Sequence, residues 1–290
     1  MMHRLIFFLY TFFMVGIAQT YADQPQTVYW YYNEFPPYYI NSGPDQGKGL
    51  ADQQIQTFIQ SMPQFHHERV LAPHSRAFEM MKKQTNGCHT SLFKTPERAE
   101  NFEFSMPILE NLPNGFITLR SRLAQLKPFI DKHGQLRLDD FLSNGQYRIG
   151  TIEARVLGPG IDTVLKKHEG QKPAVVIPSN VGLASQLLKL VNQNEYDAVV
   201  GYSYELQYVV RHLQLNPRDF VVLPIAEYAS LQPIYVACSK SAFGKQIITE
   251  VNRTLTDSTK IREIEAAYRF WLDEESAVRW DRLRTQPHAN

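Results

Sequence analysis

The sequence is short of cysteine, of net charge and of long apolar runs. Two cysteines in 290 residues are too few for a disulfide framework or a four-thiolate zinc site. Lys and Arg total 30 against 29 Asp and Glu, a formal net charge of +1. That balance argues against a nucleic-acid binder, which needs a basic excess to neutralise phosphates. It also excludes an acidic tail or a polybasic membrane patch. Nucleophile elbow, phosphate loop, dinucleotide fingerprint and His-Glu-x-x-His pair are all missing. The nine histidines are scattered. His66 and His67 are adjacent in a predicted strand and so point to opposite faces, which leaves them poorly placed to share a metal with His89.

The apolar runs that are present have other uses. Leu5–Ala18 is a 14-residue apolar run behind the single charge of Arg4, followed by Thr20-Tyr21-Ala22. It is shorter than the ~20 residues of a spanning helix. This is the pattern of a secretory signal peptide, residues 1–22, cleaved near Ala22. Its removal takes Arg4 and brings the charge of the remaining 268 residues to zero. No later segment reads as a membrane anchor, so the expectation is a soluble exported protein in an oxidising compartment.

The composition beyond residue 22 is that of a globular chain, with 43% hydrophobic, 20% charged and 12% aromatic residues over the whole sequence. Strand and helix patterns alternate. Thr27–Tyr32 reads as a buried strand, Leu50–Gln60 as a helix, and Gly87–Phe93 as a strand before the turn at Pro96. The alternation restarts after Pro113 and runs to Phe220–Pro224. Ile234–Cys238 adds a late strand, and helices close the chain. Repeated βα units predict an α/β fold with parallel or mixed sheets, in two lobes around a cleft.

One segment is more specific. Thr90-Ser91-Leu92-Phe93-Lys94-Thr95-Pro96-Glu97-Arg98, followed by Phe102-Glu103-Phe104-Ser105-Met106-Pro107, resembles the strand–turn–helix of the family 3 periplasmic solute-binding proteins. These are the polar amino acid binders of ABC importers. Glu34-Phe35-Pro36-Pro37-Tyr38, Asn194–Val199 and Ile234–Lys240 resemble further family stretches, in order along the chain. The resemblance implies a two-lobe type II periplasmic-binding-protein (Venus flytrap) fold, with lobe 1 over residues 23–110 plus 234–290 and lobe 2 over 111–233. It implies no cofactor and no metal, and a monomer that binds a small solute without catalysis. The partner would be an ABC permease or a sensor protein.

The resemblance assigns Arg98 to an anion, with Ser91, Thr90 and nearby backbone N–H groups sharing the load. Phe93, Glu34, Phe35, Tyr38 and Trp30 would line the pocket, joined by Arg155 and Tyr202 from lobe 2. In the family an Asp five residues after the Asp-Ala strand takes the ligand ammonium. Counting from Asp197, that position is Tyr202. The carboxylate anchor is therefore present and the ammonium anchor missing, which favours a carboxylate or other anion over a standard α-amino acid. Gly49-Leu50-Ala51-Asp52-Gln53 also departs from the family's Gly-Phe-Asp-x-Asp pattern. In the resembled fold Cys88 and Cys238 lie on neighbouring antiparallel strands, either as a disulfide or as two buried thiols. Two other readings remain open. One is an enzyme on this fold, of the cyclohexadienyl dehydratase kind, using Glu34, Glu205 or a His. The other is an exported sensory module.

Overall fold

The computed structural model describes residues 26–152, 155–169, 174–177 and 183–285. The predicted leader lies outside them. The chain begins with strand β1 (Thr27–Tyr32), helix α1 (Leu50–Ser61), β2 (His66–Leu71), α2 (His74–Lys83), β3 (Gly87–Leu92), α3 (Pro96–Asn101), β4 (Phe102–Phe104) and β5 (Leu109–Asn111). A second group follows: β6 (Gly115–Leu119), α4 (Leu123–Leu126), α5 (Leu138–Ser143), β7 (Ile149–Ile152), α6 (Pro159–Lys167), β8 (Ala174–Ile177), α7 (Leu183–Asn192), β9 (Ala198–Gly201), α8 (Ser203–His212) and β10 (Phe220–Pro224). The chain ends with β11 (Gln232–Ser239), α9 (Ala242–Thr254), α10 (Ser258–Phe270) and α11 (Glu274–Arg284).

Two separate sheets result. The first has the order β2-β1-β3-β11-β4, with β5 pairing on β11, and the second the order β10-β6-β9-β7-β8. β1 runs parallel to β2 and β3, as βα crossovers require, while β11 enters antiparallel between β3 and β4. β11 therefore returns the chain to the first sheet after the second is complete. Its first residues pair with β5, so the two connections between the sheets run side by side.

Helices cover both faces of each sheet, which explains strands that are apolar throughout. On one face of the first sheet Val28 and Trp30 pack with Ile55 and Phe58 of α1, Ile247 of α9 and Trp271. On the other, Tyr31 packs with Ala77 and Met81 of α2. Sequence punctuation starts the helices: Ser241, Asp257 and Asp273 each accept an N–H bond from the first turn of α9, α10 and α11. Asp52, whose segment departs from the family pattern, has a structural job. Its carboxylate is buried, accepts from the N–H groups of Gly49 and Ile40, and pairs with Arg69.

Cys88 and Cys238 stand directly opposite each other in the β3–β11 ladder, with Cα atoms 4.0 Å apart, and are joined as a disulfide across 150 residues of sequence. Among the described residues no helix is long and apolar enough to cross a membrane.

Candidate functional site

A cleft with a cavity of about 370 Å³ opens where the chain leaves β1 and β3 on one side and meets the segment after β7 and the start of α8 on the other. The C-terminal ends of strands are where open α/β sheets expose ligand-binding loops. Arg98, Ser91, Thr90, Phe93, Phe35 and Tyr38 line it from the first sheet's side, and Arg155 and Tyr202 from the second's.

Arg98 owes its place to a local turn. Thr95 caps α3 by accepting the Arg98 N–H at 3.2 Å, and Pro96 occupies the first helical position. The guanidinium then folds back. Nη1 donates to the Phe93 carbonyl at 2.9 Å, and Cζ lies 5.1 Å from the centre of the Phe78 ring. No carboxylate pairs with Arg98 among the ion pairs of the described residues. Burial pushes its pKa down, against the opposing effect of neighbouring Glu97. Among the described residues it is a partly buried cation with no ion-pair partner, the neighbouring Glu97 acting on it only at a distance.

β3 is irregular where it meets the cleft. Ser91 has φ of 62°, the left-handed region, and the β11 register shifts between Tyr235 and Ala237 opposite it. The bulge brings Thr90 and Ser91 together, and both hydroxyls donate to Gln54 Oε1, at 2.8 and 2.6 Å. Their protons are spent within the protein, so the hydroxyls expected to donate to an anion are not free to do so. Tyr38 accepts from Asn111 Nδ2 at 2.7 Å, and burial raises its phenol pKa above the usual range.

The second lobe contributes a neutralised pair. Arg155 donates to Glu205 Oε1 and Oε2 at 2.8 and 2.7 Å, the bidentate fork suited to a carboxylate. Glu205 also accepts the Tyr202 N–H at 2.9 Å, which fixes the start of α8. The Arg155 guanidinium lies 5.5 Å from the Phe35 ring centre and 5.3 Å from that of Tyr202, so aromatic faces from both lobes flank it. Neither charge of the pair is left over for a ligand.

Two expected residues do not line the cleft. Trp30 is fully buried inside the α1 face of the first sheet, stacked on Phe58 and donating Nε1–H to His67 Nδ1 at 3.1 Å. Alternation along β1 sends its side chain into the helix layer, away from the strand end. Glu34 is exposed, because Asn33 and Phe35 on either side of it face the cleft and it faces solvent. Sequence reasoning missed His74 and His89, which stack at 4.9 Å beside Arg98. His89 Nδ1 bonds the Thr90 carbonyl at 2.6 Å, so it carries the hydrogen, and Nε2 is buried without a partner. Burial, His74 and Arg98 push its pKa down to about 3, against the Thr90 bond. No motif marks either histidine; their pairing arises only when α2 packs on β3. Among the described residues no cluster of His, Cys, Asp or Glu is suited to hold a metal.

No family model and no curated protein matches the sequence. Solved structures do. An ancestral cationic amino acid solute-binding protein superposes with a TM-score of 0.62 at 15% identity, covering 85% of this chain and 96% of its own. The probable amino-acid ABC transporter extracellular-binding protein YtmK of Bacillus subtilis gives 0.62 at 12% identity, covering 87% of this chain and all of its own (100%). A histidine kinase sensor domain with similarity to periplasmic binding proteins gives 0.58 at 14%, covering 86% and 96%. The chain thus has the two-lobe type II periplasmic-binding-protein fold. It is the fold of the family 3 solute-binding proteins, and at these identities the likeness speaks for fold alone.

Proposed function

We propose that this protein captures a small carboxylate-bearing or otherwise anionic solute in the cleft between its lobes, without catalysis. The observation that carries the reading is Arg98, a partly buried guanidinium facing the cleft with no carboxylate partner among the described residues. An unpaired cation in such a setting is a site for a carboxylate, which the guanidinium fork fits in two parallel bonds. The aromatic rings of Phe35, Tyr38, Phe93 and Tyr202 would pack on the body of the solute. Among the described residues the Arg155–Glu205 pairing leaves no free lobe 2 carboxylate lining the cleft for an α-ammonium.

We assign residues 23–110 plus 234–290 to lobe 1 and 111–233 to lobe 2, a division supported by the chain leaving the first sheet after β5 and returning to it in β11. The short β5–β11 ribbon serves as the hinge. In this reading the protein is a periplasmic monomer, exported by its leader. Its output passes through a partner, either an ABC permease or a sensor protein. The resemblance to both an ABC transporter's extracellular-binding protein and a kinase sensor domain supports each.

A thermal-shift screen of the purified protein against amino acids and organic acids tests the reading. A ligand at a hundred times its Kd adds about 2.7 kcal/mol to the folded state. The best carboxylate should lose its shift in Arg98→Ala. An unchanged shift in that variant would sink the anion-anchor role.

A further inference from the structure

The cleft has a second compartment. A cavity of about 350 Å³ lies beside the first and shares Phe93, Val156 and Tyr202 with it. Those three residues border both cavities. Phe93 comes from the first lobe, while Val156 and Tyr202 come from the second. Phe93 and Val156 are large apolar residues left exposed, 37% and 74%. Isolated exposed apolar residues need no explanation, but two that face the same pair of cavities from opposite lobes do.

The two compartments differ in chemistry. The first holds Arg98 and a set of neutral acceptors: Asn111 Oδ1 and His89 Nε2 are both buried without a hydrogen-bond partner. The second is walled by Tyr228, Tyr235, Pro159 and Pro233, with Lys94 at its edge. Among the described residues neither lining includes an Asp or Glu. The two meet near the hinge. Asn111 and Gln232 are register partners in the β5–β11 ribbon, so their side chains lie on one face, Asn111 lining the first compartment and Gln232 the second.

We infer that the cleft takes an elongated carboxylate with an uncharged body, of the N-acylated amino acid kind, whose carboxylate sits on Arg98 and whose acyl group fills the second compartment. This rests on the anion-binding reading above. The amide N–H of such a molecule can donate to one of the orphaned neutral acceptors of the first compartment, which would otherwise stay unpaired on burial. The acyl body matches the tyrosine and proline walls of the second. A free ammonium there would meet Lys94 and, among the described residues, no carboxylate.

Titration calorimetry on the purified protein with three probes tests this: N-acetylalanine, N-(3-phenylpropanoyl)alanine, and the dipeptide phenylalanylalanine. The second probe is the third without its amino group. N-(3-phenylpropanoyl)alanine should bind at least about tenfold tighter than either other probe. Gln232→Trp, which fills the second compartment, should remove that advantage. A far-UV circular dichroism spectrum and thermal midpoint like those of the wild type show that the variant is folded. Equal affinities for the long and short acyl probes would overturn the second compartment. A dipeptide as tight as its des-amino analogue would overturn the uncharged body. Loss of all carboxylate binding, or indifference to Arg98→Ala, would instead overturn the anion reading and this inference with it.

Discussion

Arg155, which lines the cleft, is joined to Glu205 behind it by two parallel hydrogen bonds of 2.8 and 2.7 Å. Both side chains are largely shielded, 14% and 3% exposed. Removing one partner leaves the other as an uncompensated buried charge. Arg155→Ala should therefore destabilise the fold by about 3–5 kcal/mol, read from the midpoint of chemical denaturation. A loss under about 1 kcal/mol would mean that solvent already screens the pair, as at an exposed site.

Cys88 and Cys238 close a loop of 150 residues between neighbouring strands of the first sheet. On a chain-entropy account such a cross-link is worth about 4–5 kcal/mol. Denaturation of the oxidised protein, and of the Cys88→Ala/Cys238→Ala variant, should differ by that order. The double variant should keep the fold, since both positions are buried in an apolar core.

His89 makes stability depend on pH. Burial first, then His74 and Arg98, lower its folded pKa to about 3, against the backbone bond to Thr90. The unfolded chain therefore takes up a proton near the ordinary value while the folded chain does not. Stability is fully present above about pH 6.5 and is lost progressively as pH falls toward 3, by about 2 kcal/mol at pH 5 from this group. Denaturation midpoints measured between pH 7.5 and 4.5 should fall accordingly. The slope should flatten in His89→Asn, and an unchanged slope would remove His89 from the explanation.

Trp30 belongs to the core. Trp30→Ala should cost about 3–5 kcal/mol from the lost packing and the cavity left behind. Solute affinity at a temperature where the variant is folded should stay near wild type. A large affinity loss with little destabilisation would place the indole in the cleft after all.

Much of the fold was legible because its signals are local. The apolar run Thr27–Tyr32 forms β1, and the restart after Pro113 marks the second sheet. The Thr95-Pro96 start of α3 holds Arg98 as the motif suggested. The site was less legible. Alternation along β1 separates Trp30 from Tyr31 but does not say which face is which, and both faces turned out to be buried. The family resemblance assigns Thr90 and Ser91 to a ligand, yet Gln54 of a distant helix takes both hydroxyls.

The sequence by itself determined the alternation of strands and helices, the local turn that holds Arg98, and the near-neutral charge that points away from nucleic acid. These depend on neighbours within a few residues. Only the tertiary structure decided which charges are free. Glu205 stands 50 residues from Arg155, and their pairing removes a carboxylate that the chain nominally offers. The shared wall of Phe93 and Val156 is likewise invisible along the chain. Charge compensation and cavity shape depend on which distant groups come within a few ångströms, and that is set by the packing of the two lobes.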